Sequence, residues 1–136
     1  MTRAWTIRTE KGRELAATAQ VVRSQLERLQ PEWPPSFAIL EIAGTEEYYQ
    51  AAGGGGGMLL EKREGGRHFR AFQAEPVVPF EDGTQLRFGG NRIPLRRDEW
   101  FSREQVIECW TCFVASVDEP TWVRWRDITD LLSSGR

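Results

Sequence analysis

Ser102-Arg103-Glu104-Gln105-Val106-Ile107-Glu108-Cys109-Trp110-Thr111-Cys112-Phe113-Val114-Ala115-Ser116-Val117 is the stretch on which the reading of this chain turns. Ser102 followed three residues later by Gln105 has the form of a capping box, in which the two residues satisfy backbone N–H groups that the first turn of a helix leaves unpaired. From there Val106, Cys109, Trp110, Phe113, Val114 and Val117 recur at steps of three and one, which builds a single apolar stripe on a 3.6-residue repeat. Asp118-Glu119-Pro120 is expected to stop the helix, and Thr121 to Ile128 reads as a strand, β-branched and aromatic with charges between. A helix of this kind needs a core to face.

Working outward, 136 residues with six Trp and seven Phe suit one domain, residues 1–136, that buries a core without disulfides or metals. No apolar run approaches the ~20 residues of a membrane span, and Met1-Thr2-Arg3-Ala4-Trp5 lacks the apolar core of a secretory leader. Two cysteines three residues apart cannot staple a secreted scaffold. The chain is therefore expected to be soluble and cytoplasmic. Its net charge of -2 is distributed in blocks: five acids and two bases over 41–64, six bases and three acids over 65–97, eight acids and four bases over 98–136. That pattern lacks the uniformly basic footprint of nucleic-acid binding and suits a protein partner met through complementary patches, although charge runs are commonly just solvated faces.

In chain order, Trp5 to Thr9 reads as a short strand. Leu15, Ala19, Val22, Leu26 and Leu29, at steps of three and four, predict a helix of four or more turns over about 13–29, ended by Pro31, Pro34 and Pro35. Ser36 to Ile42 is an apolar strand, and Gly44-Thr45 offers a two-residue turn into Glu46 to Ala52. That register sets Leu40 opposite Tyr49, Glu41 opposite Tyr48 and Ile42 opposite Glu47. Gly53 to Gly57 reads as a flexible connection and not as the interior of an element; it also lacks the following Lys and Ser or Thr of a phosphate loop. Gly65-Gly66 between Met58–Glu64 and Arg67–Gln73 is a hairpin signal that pairs Glu64 with Arg67, Glu61 with Arg70, Leu60 with Ala71 and Leu59 with Phe72. Gln85 to Phe88 and Arg92 to Arg96 form a further hairpin in which Pro94 demands an edge position. The sum is an α+β fold, a largely antiparallel sheet with two main helices on one face.

Chemistry-bearing candidates are few. Cys109-Trp110-Thr111-Cys112 has redox spacing, but a working pair sits at a helix N-terminus, whereas this one lies inside a helix with Cys109 on the apolar stripe. His68 is the one histidine and has no partner at recognisable spacing. The acid pairs Glu46-Glu47, Glu81-Asp82 and Asp98-Glu99 would point to opposite faces on a strand. No catalytic constellation, metal site or cofactor is expected. Glu41, Glu46, Tyr48 and Gln50 share one face of their hairpin, and an aromatic and acidic face suits recognition of a basic protein surface. Glu47, Asp98 and Glu99 complete the candidate partner-binding set. Trp100 and Phe101 are either a staple on the helix start or exposed anchors. An alternative reading is a small-molecule or phosphate-binding regulatory domain with a pocket lined by Arg67, Arg70 and Arg96, and a third is a thiol enzyme at Cys109 and Cys112.

Ser102 to Glu108, Phe113-Val114-Ala115-Ser116, and Pro120 to Ile128 with its Trp125-Arg126-Asp127-Ile128 ending resemble the C-terminal part of a family of immunity proteins from bacterial polymorphic toxin and contact-dependent competition systems. Glu47-Tyr48-Tyr49-Gln50-Ala51-Ala52-Gly53 and the hairpin after it resemble the central sheet of the members that inhibit nucleic-acid deaminase toxins. The resemblance covers about half the chain; the five glycines and the Pro-bearing segment from Glu75 to Gly83 depart from it. It implies a small cytoplasmic α+β protein, not an enzyme, that binds a cognate toxin and occludes its active site, without contacting nucleic acid or membrane itself. No toxin-contacting residue transfers by motif.

Overall fold

The computed structural model describes residues 4–133, so Met1 to Arg3 of the leader expectation, and the last three residues of the 1–136 domain, lie outside it. A seven-stranded, wholly antiparallel sheet organises the rest. Its strands are β1 (Trp5–Thr9), β2 (Glu14–Ala16), β3 (Phe37–Ile42), β4 (Tyr48–Gly54), β5 (Gly57–Glu64), β6 (Arg67–Phe72) and, from the far end of the chain, β9 (Arg124–Asp127), in the spatial order β2-β1-β3-β4-β5-β6-β9. Strands β7 (Gln85–Phe88) and β8 (Asn91–Pro94) form a separate two-stranded sheet, which gives Pro94 the edge it requires. The helices are α1 (Ala19–Glu27), α2 (Arg103–Ala115) and the short α3 (Thr129–Ser133). The architecture is α+β, as the patterning predicts, and among the described residues no helix is long and apolar enough to cross a membrane.

Side-chain alternation divides the large sheet into two faces. Ile7, Ala38, Leu40, Ala51, Leu60 and Ala71 point to one, where Val22 and Leu26 of α1 and Val106, Cys109, Trp110 and Phe113 of α2 close the main core. The Phe113 ring stacks on Tyr49 of β4, centroids 3.9 Å apart. The capping box forms as read: Gln105 N–H donates to Ser102 Oγ at 3.1 Å and Ser102 N–H to Gln105 Oε1 at 3.0 Å. On the opposite face Ala52 and Leu59 meet Leu86, Ile93, Leu95 and Trp100 in a second, smaller core beneath β7 and β8.

Several expectations are corrected. The single helix over 13–29 divides in two: Glu14–Ala16 pairs with β1, and α1 starts only after Thr18, whose hydroxyl accepts from Val21 N–H at 3.2 Å. Gly12, at φ +83°, turns the chain with its N–H on Thr9 O, and Leu15 fits a strand facing the core as well as it fits a helical stripe. The glycine run is not a flexible connector. Gly53 and Gly54 belong to β4 and Gly57 to β5, with Gly54 paired to Gly57, so the strands continue through the run to a turn at Gly55-Gly56. A Cβ on Gly53 would stand 2.5 Å from the Gly57 carbonyl oxygen, and one on Gly57 would stand 2.7 Å from the Trp100 ring. Close approach, not flexibility, demands these glycines.

Helix α2 ends at Ala115 because Ser116 adopts the left-handed conformation, φ 58°, two residues before the expected stop, which leaves Val117 exposed. Strand β9 covers only Arg124–Asp127 of the expected 121–128. The β3–β4 register is the one read from sequence, Leu40 with Tyr49 and Glu41 with Tyr48, but the ladder opens there, because Thr45 ties back to Ile42 O and widens the turn beyond Gly44-Thr45. The β5–β6 ladder holds Glu61 with Arg70 and Glu64 with Arg67 and stops short of the Leu60–Ala71 and Leu59–Phe72 pairs; nearby, Met58 exchanges two backbone hydrogen bonds with Phe101. That bridge buries Phe101 in the main core while Trp100 joins the second, so neither is an exposed anchor.

Candidate interaction surface

Strand register assembles the surface. Thr6 and Arg8 of β1 lie opposite Glu41 and Ile39 of β3; Glu41 and Ile39 lie opposite Tyr48 and Gln50 of β4; Tyr48 and Gln50 lie opposite Arg63 and Glu61 of β5. All of these face away from the helices. The β7–β8 sheet covers the Phe37, Ala52 and Leu59 end of this face, and Thr6, Arg8, Ile39, Glu41, Tyr48, Gln50 and Arg63 remain half-buried beyond it. Glu41, Tyr48 and Gln50 are therefore brought together as predicted, with Glu46 beside them at the hairpin turn, 87% exposed.

The strip is not the purely acidic face that the segment charges imply. Arg8 Nε donates to Glu41 Oε1 at 2.8 Å and Arg63 Nη2 stands 3.6 Å from Glu46 Oε2. Each carboxylate thus carries its own arginine, and the face offers donors and acceptors side by side. Burial raises the Tyr48 phenol pKa above its ordinary value, which keeps its O–H neutral and able to donate. Glu47 turns the other way, and its carboxylate accepts from Gly65 N–H at 3.3 Å, linking two hairpin turns. Arg8 and Arg63 were not among the sequence candidates; only the pairing of β1 with β3 and of β4 with β5 sets them on this face.

Asp98 and Glu99 do not join the strip. They belong to a 3-10 turn, Arg97–Glu99, packed on β6 and reached by Arg126 of β9. The Glu99 side chain is only 4% exposed: Oε1 accepts from Arg96 N–H at 2.8 Å, with Arg70 Nη1 3.5 Å away, while Oε2 takes Arg126 Nη1 at 2.7 Å. Asp98 receives Arg126 through both guanidinium nitrogens, at 3.1 and 3.3 Å, and these contacts raise the Arg126 pKa. Glu99 has no surface to offer a partner, and Asp98 is committed to Arg126.

The alternative arginine pocket does not assemble. Arg70 is buried between Glu61 and Glu99, Arg67 pairs with Asp127, and Arg96, which caps the 3-10 turn, is exposed. Cys109 and Cys112 are free thiols whose pKa values are both raised, first by burial and then by nearby acids such as Glu108 and Glu119, the reverse of an activated pair. Among the described residues no group of three His, Cys, Asp or Glu side chains is placed to hold a metal ion. No protein-family model matches this chain, and no curated protein matches its sequence.

Proposed function

We propose that this chain is a cytoplasmic, non-enzymatic immunity protein that binds a cognate bacterial toxin, one acting on nucleic acid as a deaminase or nuclease does, and occludes its active site. The observation that carries the reading is the open strip of Glu41, Tyr48 and Gln50, with Glu46 at its rim: an aromatic flanked by carboxylates on a rigid sheet rather than on a loop. Toxin sites that hold phosphates display Arg and Lys, and the strip's carboxylates can exchange Arg8 and Arg63 for them. The sequence resemblance to immunity proteins supports the same reading. Asp98 and Glu99 act inside the fold and not at the interface.

The test is co-expression with the product of the gene immediately upstream, followed by purification through a tag on this chain. The expected result is a stoichiometric partner that kills cells when expressed alone and is silenced by this chain. A harmless neighbour that does not co-purify would end the immunity reading.

A further inference from the structure

A second feature lies away from the strip, on the helical side of the sheet. A cleft of about 380 Å³ opens between the β1–β2 turn and the C-terminal end of α1. Lys11 and Arg13 enter it from the turn and Arg28 from the helix end, and none of the three has an ion-pair partner among the described residues. Other arginines of the chain are also without an ion-pair partner among the described residues, Arg92 and Arg124 included; what sets these three bases apart is that they line one cleft together. The nearest acids in sequence are otherwise engaged: the Glu10 carboxylate accepts from Ser36 N–H, and Glu14 sits opposite Arg8 on the other face of the sheet. Three bases therefore line one cleft without a direct ion pair in an overall acidic protein.

The floor adds polar groups. Thr9 is 7% exposed; its Oγ1 accepts from Lys11 N–H at 3.3 Å, and its own O–H donates to nothing among the described residues. Gln25 supplies a side-chain amide from α1, while Leu15 and Pro35 form an apolar wall. Two guanidinium forks, one ammonium and a free hydroxyl match a doubly charged tetrahedral oxyanion better than a single carboxylate, which would leave charge uncompensated. The volume exceeds what one phosphate fills, and the apolar wall suits an organic remainder. We propose that this cleft binds a small molecule bearing a terminal phosphoryl group, independently of any protein partner on the strip.

The experiment titrates the full-length, isotope-labelled chain with inorganic pyrophosphate and, separately, with adenosine diphosphate at low ionic strength, followed by amide shifts and calorimetry. Saturable binding is expected, with shifts concentrated at Thr9, Lys11, Gly12, Arg13 and Arg28. The double variant Arg13→Gln, Arg28→Gln should weaken it by about ten-fold or more, since it removes two charge-assisted, bidentate donors. Arg92→Gln, which removes an exposed arginine of β8 elsewhere on the surface, should leave it unchanged. Tighter binding of the nucleotide identifies an organic phosphoryl ligand, and tighter binding of pyrophosphate an inorganic one. Shifts that grow without saturating, that spread equally to Arg92 and Arg124, or that survive in the double variant with its fold intact overturn the proposal.

Discussion

Arg70 and Glu61 stand directly opposite one another on β6 and β5, with Arg70 Nε 2.8 Å from Glu61 Oε2, and both side chains are withdrawn from solvent. Glu99 approaches the same guanidinium from the 3-10 turn, and Arg70 Nη2 has no hydrogen-bond partner among the described residues. A buried pair of this kind is costly to break, because the remaining charge keeps its desolvation without its counter-ion.

Arg70→Met leaves Glu61 and Glu99 facing an apolar side chain. The expected loss is about 3–5 kcal/mol, the range for removing one member of a buried pair. Urea unfolding should show a lower midpoint at unchanged m-value. A loss under about 1 kcal/mol, the level of a surface pair, would mean that solvent reaches the network.

The glycine run makes a paired prediction. Gly53→Ala places a Cβ 2.5 Å from the Gly57 carbonyl oxygen at a residue whose φ is +114°, whereas a Cβ on Gly56 meets nothing within 4 Å. Backbone cannot yield as a side-chain tip can, so Gly53→Ala should cost at least the ~1–3 kcal/mol of an overpacked site. Gly56→Ala should stay within about 0.5 kcal/mol of the parent protein, as surface substitutions do. Thermal unfolding of the two variants distinguishes this account from a flexible linker, in which both would behave alike.

This contrast shows where the sequence could be read and where it could not. Local signals were legible: the Ser102–Gln105 box, the Gly65-Gly66 hairpin and the Leu40–Tyr49 register all depend on residues close in the chain. What failed depended on distant partners. Leu15 is a helical spacing away from Ala19 but pairs with Ile7, and the glycines are selected by one another and by Trp100. Glu99 looks like a surface acid until Arg70 and Arg126 arrive from β6 and β9. The candidate strip was half legible, since Glu41, Tyr48 and Gln50 share a hairpin, while Arg8 and Arg63 reach them only through tertiary pairing.

Asp127 at the β6–β9 edge links the stability of the fold to acid pH. Asp127 is held well below the ordinary carboxylate range by Arg67, whose Nε lies 2.5 Å from Oδ2, and by the Thr129 N–H at 2.9 Å from Oδ1. A depressed folded-state pKa gives stability that is fully present above the unfolded value of about 4 and is lost as pH falls from there towards the folded one. Asp127→Asn should therefore flatten the stability profile below pH about 4 while leaving its slope near neutrality unchanged. Parallel profiles for the two proteins would show that Asp127 titrates normally.

The thiols give a kinetic readout of the α2 packing. With Cys109 sealed in the main core and both thiols raised by burial and by neighbouring carboxylates, alkylation of the native protein at pH 7.5, an assay pH about one unit below the ordinary thiol pKa, should be slow at both positions. Cys109 should react only through unfolding. Its rate should then rise steeply with urea while that of the half-exposed Cys112 changes less. Rapid native alkylation of Cys109 would contradict the packing of α2 and reopen a thiol activity.

The interaction strip is tested most directly by substitutions that the fold tolerates. Tyr48 is half-buried on the open face and Glu46 is almost fully exposed, so Tyr48→Ala and Glu46→Arg should leave the unfolding transition within about 0.5–1 kcal/mol of the parent. If the strip is where a partner sits, the tyrosine is its anchor, and truncating an anchor costs about 2 kcal/mol or more, roughly thirty-fold in affinity and mostly in the dissociation rate. The Glu46 reversal should act more on association and should weaken as salt is added, because it lies at the rim beside Arg63. Asp98→Asn supplies the contrast: it loosens Arg126 and lowers stability without changing affinity for the partner. Should Asp98→Asn abolish partner binding in a folded protein while Tyr48→Ala leaves it untouched, the interface lies at the β9 edge and not on the open face of β3 and β4.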